Sequence, residues 1–260
     1  MSGDSEEIRK IIIVLSGKGG VGKTTVSVNL SVAFALKGLK VGLLDIDIHG
    51  PNVPKMLGLD NFRLSITGNK IYPVVYLDKI KVMSMGFLLP DESQAVVWRG
   101  ALKHKMIQEF LNAVEWGNLD ILVIDSPPGT GDEIISIANL LKNKLNGAII
   151  VGTPQKVALT DIKKSITFCK HANIPILGAI ENMSGLVCPK CGEVINLFQT
   201  GGVEKMAKEF GVPFLGKVPI DIKVSSGGDE GKPVVIENSD SPASKAFLNI
   251  AEHIIQKIGL

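Results

Sequence analysis

Aromatic residues are scarce in this chain, 5% of 260 residues, against a hydrophobic fraction of 45%. Its core must therefore be aliphatic, which suits a buried sheet covered by helices. Cysteines number three, odd and few for this length. That excludes a disulfide-stapled scaffold and points to a reducing compartment, so the expected location is cytoplasmic. The formal net charge is only +2, so bulk charge gives no footing for a nucleic-acid partner. The opening Met1–Glu7 is polar and acidic, without the basic and apolar stretches of a secretory signal. No apolar run approaches the roughly 20 residues that span a bilayer, so no membrane partner is expected. Linkers rich in Gly and Ser, repeats and low-complexity tracts are also missing. The expected organisation is one domain over 1–260, with a flexible N-terminus at 1–9 and a cysteine-bearing loop at 183–202.

What is present is a set of short apolar runs: Ile11–Leu15, Val41–Asp47, Ile121–Asp125, Ala148–Val151 and Ile176–Ile180. Each is nearly continuous rather than alternating, as strands buried on both faces are. Helical spacing lies between them. Val26, Leu30, Ala33 and Phe34 form one apolar face, and Val28, Val32 and Leu36 another, which predicts a helix buried all round. Ile134, Ile137, Ala138, Leu141 and Leu145 repeat at helical spacing, as do Ala158, Ile162, Ile166 and Cys169. Strands alternating with helices predict an α/β fold, a doubly wound and mostly parallel sheet with helices on both faces. Gly192–Gly202 and Gly227–Pro233 read as loops. Phe247, Ile250, Ala251, Ile254, Ile255 and Ile258 mark a C-terminal amphipathic helix that docks on the core, since Lys257 alone would offer a membrane surface little charge.

The first run leads into Gly17-Lys18-Gly19-Gly20-Val21-Gly22-Lys23-Thr24-Thr25 and then a helix. This is G-x-x-x-x-G-K-[ST] in the strand–loop–helix context it requires. Glycines let successive N–H groups curl around an anion, and the helix start adds its positive dipole end. Lys23 supplies charge for β- and γ-phosphates, and the Thr24 hydroxyl is a hard ligand for Mg²⁺. Without a ligand the same residues would be only a glycine-rich turn.

Strand ends are where open α/β sheets hold ligands. Asp45 and Asp47 lie two residues apart at one such end, on the same face. Asp125 closes an apolar run in the Walker B manner and is the candidate for holding a Mg²⁺-bound water. Asp47 is the better candidate to orient or deprotonate an attacking water, and Asp45 to support the Mg²⁺ shell. Each alone would be an ordinary strand-end acid. Ser126-Pro127-Pro128-Gly129-Thr130-Gly131-Asp132 suits a segment ordered by a γ-phosphate, or a rigid loop. Guanine-specific proteins of this kind carry N-K-x-D, and Asn143-Lys144-Leu145-Asn146 lacks the acid. Adenine, and so ATP, is the preferred nucleotide, with the Asn182 amide placed to bond its edge. His49 reads as a surface residue.

Cys188-Pro189-Lys190-Cys191-Gly192 sits in a loop beyond Asn182. Zinc and [4Fe–4S] clusters both take a four-ligand set. Cys169 falls on an apolar helix face and reads as buried and structural. The missing ligands come most simply from a second copy about a two-fold axis. On spacing alone, structural zinc, an iron–sulfur cluster and a redox dithiol all stay open, although the thioredoxin setting at a helix N-terminus is absent.

Lys18, directly after the first motif glycine, resembles the deviant Walker A pattern of the MinD/ParA/nitrogenase iron protein superfamily. Together with Asp45-Ile46-Asp47-Ile48-His49-Gly50-Pro51-Asn52, the Asp125–Asp132 string, Glu181-Asn182-Met183-Ser184, the cysteine pair, Val218-Pro219-Ile220-Asp221 and Gly227–Pro233, it makes the chain similar to the Mrp/ApbC family of iron–sulfur scaffold or carrier ATPases. The resemblance implies a slow, Mg²⁺-dependent ATPase working as a homodimer, with Lys18 reaching across to the partner's nucleotide as an arginine finger does. It implies a [4Fe–4S] cluster bridging two Cys188/Cys191 pairs and passed to apo iron–sulfur proteins. It also implies that Asn182 contacts adenine and that Pro219 and Asp221 line the base. The eukaryotic relatives' four-cysteine extension is not seen, so only the bridging cluster is expected. A MinD/ParA-like positioning ATPase and an ATPase dimer stapled by zinc are the competing expectations.

Overall fold

The computed structural model describes residues 7–48, 50–88, 100–142, 144–188, 190–198 and 200–260. His49, Asn143 and Pro189, named above, lie outside them, as do residues 1–6 of the expected tail. The first half of the chain forms β1 (Ile8–Leu15), α1 (Lys23–Leu36), β2 (Val41–Asp45), α2 (Val53–Met56), β3 (Ser65–Thr67), β4 (Lys70–Tyr72), β5 (Val74–Tyr76), β6 (Ile80–Ser84), α3 (Gly100–Asn112) and β7 (Leu119–Asp125). The second half forms α4 (Asp132–Leu140), β8 (Leu145–Gly152), α5 (Lys156–His171), β9 (Ile176–Glu181), β10 (Leu186–Val187), β11 (Val194–Ile195), α6 (Gly202–Glu209), β12 (Phe214–Lys217), α7 (Ile222–Glu230), α8 (Val234–Glu237) and α9 (Pro242–Ile258).

The main sheet has eight strands in the order β12-β9-β8-β1-β7-β2-β6-β5. Every pairing is parallel except that of β5 with β6 at the edge. The chain winds outward through β2 and β6, returns to β7 beside β1, then crosses to β8 and winds the other way. That reversal puts a crevice outside the carboxyl ends of the central strands, where such sheets bind ligands. Both faces are covered, as the continuous apolar runs require. Ile12 and Val14 point into a core shared with α1 and α9, while Ile11, Ile13 and Leu15 point into one shared with α3, α4, α5 and α6. Burying one such side chain contributes roughly 1.5–3 kcal/mol, and dozens are sealed on both faces.

The helix after the phosphate loop is buried nearly all round, with Leu36 at its end exposed. The C-terminal helix docks through Phe247, Ile250, Ala251, Ile254 and Ile258, packing beside α1. Among the described residues no helix is long and apolar enough to cross a membrane.

Several boundaries differ from the sequence reading. The second strand ends at Asp45 rather than Asp47: Ile46 N–H makes the last ladder bond, to the Asp125 carbonyl (3.0 Å), and the chain then leaves the sheet. Ile8 and Arg9, counted with the tail, belong to β1, and the Arg9 guanidinium pairs with Asp120 at 2.9 Å. Leu145, placed on a helix by its spacing, begins β8. The stretch from Gly227 is not a loop at its start. Gly227 and Gly228 lie inside α7, where Gly227 lets the Lys232 backbone approach so closely that a Cβ would collide with its carbonyl. Gly192–Gly202 contains β11 and the start of α6.

Candidate functional site

A cleft of about 640 Å³ opens at the reversal point, lined by residues 18–25, Asp47, Asn182, Pro219 and Asp221, among others. The phosphate loop owes its curl to glycine: Gly22 sits at φ +79, in the left-handed region, immediately before α1. Gly20 is left-handed too. The free N–H groups at the start of α1 then face the cleft.

Asp125 organises the floor. It is fully buried, and both of its oxygens are engaged. Oδ1 accepts from Lys23 Nζ at 2.7 Å and from Ser27 Oγ at 2.8 Å, and Oδ2 accepts from Thr24 Oγ1 at 2.7 Å. Lys23 is itself only 6% exposed, so this is a buried ion pair held in place by hydrogen bonds. Thr24 and Asp125 together present hard oxygens of the kind that hold Mg²⁺.

Asp45 and Asp47 part company. Asp47 lines the cleft and takes the Gly50 N–H at 3.3 Å on Oδ1. Asp45 lies behind the cleft lining, fully buried and in register with Asp125 on the next strand. It accepts from Ser84 Oγ at 2.8 Å and from the backbone N–H of Asp47 at 3.0 Å. Burial and the neighbouring Asp125 charge push its carboxyl up to about 8.

The far wall of the cleft is built by the segments that follow β9 and β12. The Asn182 amide donates to the Val21 carbonyl at 2.9 Å, so it braces the phosphate loop as well as facing the cleft. Pro219 lines the wall, and Asp221 beside it caps α7 by accepting the Lys223 N–H at 2.9 Å. The segment after Asp125 is tied back to the loop, Gly129 N–H donating to the Ser16 carbonyl at 2.8 Å.

Cys188 and Cys191 sit at the tip of a small antiparallel hairpin made by β10 and β11. Cys188 N–H donates to the Glu193 carbonyl at 2.8 Å, and Gly192 N–H to the Cys188 carbonyl at 2.9 Å, closing a tight knuckle. Cys191 is exposed and Cys188 half-buried, whereas Cys169 is buried in the core. The N–H groups of Cys191 and Lys190 hold the Cys188 thiol below its ordinary range, favouring the ligating thiolate. Among the described residues no set of three or more His, Cys, Asp or Glu side chains could hold a metal ion. The thiol pair offers half a ligand set and no more.

Ser27, Met183 and Phe198 escaped the sequence reading, although the last two line the cleft. Ser27 had a signal, a polar side chain on a helix buried all round. Met183 stood only inside the Glu181–Ser184 string, without a role in the cleft, and Phe198 had no signal, because only the fold of the cysteine segment brings it there.

A sequence profile described as the NUBPL iron-transfer P-loop NTPase, of the ParA group, matches residues 7–255. A protein of Methanocaldococcus jannaschii named iron-sulfur cluster carrier protein is 52% identical over 252 residues, covering 97% of this chain and 86% of that one. A Saccharolobus solfataricus protein of the same name is 49% identical, covering 96% and 84%. Among solved structures, a nucleotide-binding protein of Archaeoglobus fulgidus in complex with ADP superposes with a TM-score of 0.78 at 38% identity, over 92% of each chain. The septum site-determining protein MinD of Pyrococcus horikoshii, complexed with Mg-ADP, gives 0.69 at 28%, covering 96% of this chain and 97% of that one.

Proposed function

The chain belongs to the NUBPL iron-transfer P-loop NTPase family, and from that premise we propose that it is an ATP-dependent iron–sulfur cluster carrier. Its cargo is a [4Fe–4S] cluster gripped between two copies and delivered to apo iron–sulfur proteins in the cytoplasm. The observation that carries the reading is the pairing of two unequal sites: a phosphate cradle wired within one chain, and an exposed Cys188/Cys191 knuckle that supplies two thiolates of a four-ligand set. A second copy completes the set, and it would also cover Val194, Ile195 and Leu197, which stand exposed on and beside the hairpin.

Each cleft residue then has a task. The N–H groups of the phosphate loop and Lys23 bind the β- and γ-phosphates of ATP. Thr24 and Asp125 would hold Mg²⁺, which neutralises charge on those phosphates. Asp47 orients the attacking water, and Asp45 holds the Asp47 backbone from behind. Lys18 acts on the partner's nucleotide. Asn182, Pro219 and Asp221 frame the adenine.

The test is anaerobic reconstitution with iron and sulfide, read by absorption and by metal count. The expected result is about one [4Fe–4S] cluster per two chains, lost in the Cys188→Ala/Cys191→Ala variant. In the same preparation ATP hydrolysis is slow and falls about 10³-fold in Lys18→Ala, as loss of a finger residue does. Zinc in place of iron, or a cluster indifferent to the two cysteines, would sink the carrier reading. Wild-type turnover in Lys18→Ala would remove the trans role.

A further inference from the structure

We infer that Glu181 is a positioning residue that couples the nucleotide cleft to the cysteine hairpin. The inference rests on the assignment of those two sites made above and adds how one acts on the other.

Glu181 is the last residue of β9 and is fully buried. Its Oε1 accepts from Ser184 Oγ at 2.6 Å and from Gly201 N–H at 3.0 Å, and its Oε2 accepts from Val203 N–H at 2.9 Å. Ser184 begins the excursion that carries Cys188 and Cys191, and Gly201 ends it. One carboxylate therefore clasps both arms at their root. Capping α6 alone would need only Gly201 and Val203. The Ser184 bond, from the opposite arm, is what makes a clasp of it.

The same root is stitched to the cleft. Ser184 N–H donates to the Val218 carbonyl at 2.9 Å, and Ile220 N–H to the Gly185 carbonyl at 2.7 Å. Leu186 then bridges to Ile220, so the outgoing arm runs alongside the wall that carries Pro219 and Ile220. Asn182, the next residue along from Glu181, braces the phosphate loop at Val21. Met183 follows with φ +57, an uncommon conformation for a non-glycine residue, which its surroundings must hold in place. Met183 on the outgoing arm and Phe198 on the returning arm both line the cleft.

A nucleotide seated there touches both arms. If the arms were free at the root, that contact would be spent in splaying them. With their ends fixed on a dry carboxylate, whose three donors would each be left unsatisfied on release, the contact turns the hairpin as a unit and moves the thiols.

Thiol alkylation of the full-length, reduced, metal-free protein reads this out, followed residue by residue by mass spectrometry with and without saturating Mg-ADP. Cys169 is the internal blank, buried and with its thiol pushed up to about 12. In the wild type, Mg-ADP changes the Cys188 rate about fivefold or more, the scale of ordinary coupling between sites. In Ser184→Ala, which removes the outgoing arm's hydroxyl from the carboxylate and leaves the returning arm's bonds in place, the change disappears while Mg-ADP affinity is kept. Should circular dichroism show Ser184→Ala unfolded, Glu181→Leu, which offers no acceptor atom to either arm, decides in its place. A wild-type rate indifferent to Mg-ADP, or a full wild-type response in the deciding variant, overturns the proposal. Because no iron or sulfide is present, failure of the carrier reading in reconstitution leaves this outcome separately readable.

Discussion

Between the phosphate loop and the cysteine hairpin, the difference is how much of each site one chain completes. At the loop, Lys23, Thr24 and Ser27 converge on the two oxygens of a fully buried Asp125, drawn from a strand about a hundred residues away. At the hairpin, two residue pairs of β10 and β11 and a tight knuckle present two thiols at the surface. The first site is built into the core, so disturbing it disturbs the fold. The second is an appendage that offers two free thiols on a two-stranded hairpin outside the main sheet. A site that must stay organised through nucleotide exchange belongs on the sheet, and one that must take up and release a cargo belongs on an edge that can move.

Removing Asp125 breaks that comparison hardest. In Asp125→Ala, Lys23 stays buried without its partner and two hydroxyls lose their acceptor. Unfolding of the nucleotide-free protein in urea should show a loss of about 3–5 kcal/mol, the usual cost of orphaning a buried charge. A loss below about 1 kcal/mol would mean that the cradle is as separable from the fold as the hairpin is.

The same division governs what could be read from sequence. The loop was legible because its parts are contiguous and its physics is local: Gly20 and Gly22 for the left-handed turns, Lys23 and Thr24 at a helix start. Asp125 was legible as the end of an apolar run. Asp45 and Asp47 were legible as a pair with separate roles, but not as one residue behind the cleft lining and one within it, since only the exit of the chain after Asp45 buries the first and leaves the second in the cleft. The edge elements were not legible. Ile80–Ser84 is interrupted by Lys81, Phe214–Lys217 is four residues with a glycine, and neither carries a pattern long enough to recognise. Glu181 stood in the sequence only as part of the Glu181–Ser184 string, and its role could not be read, because its three donors lie 3 to 22 residues away and converge only when the hairpin folds back.

Asp45 sharpens the comparison next, through pH. Its folded carboxyl is raised to about 8 by burial and the charge of Asp125, above an unfolded value near 3.9. Between those values the folded chain holds a proton that the unfolded chain has lost, so stability from this group is present below pH ~4 and drains away as pH rises towards 8. Relative to Asp45→Asn, whose side chain stays neutral, the wild type should lose roughly 5 kcal/mol across that window, at about 1.4 kcal/mol per pH unit. Parallel denaturation curves for the two proteins at pH 5, 6, 7 and 8 give the difference directly. A constant gap would show that Asp45 is ionised throughout in the folded, nucleotide-free protein.

The smallest expected effect is at the other end. Cys188→Ala with Cys191→Ala removes two side chains at the hairpin tip, one exposed and one half-buried, and leaves the knuckle's backbone bonds in place. Its unfolding free energy in the metal-free state should stay within about 0.5 kcal/mol of wild type, as for surface substitutions generally. The value of so small a number is what it separates. If cluster binding is lost while stability is kept, the thiols serve the cargo and contribute nothing to the fold. If stability falls by more than about 1 kcal/mol, the knuckle is part of the structure in its own right, and its openness to a second copy would have to be reconsidered.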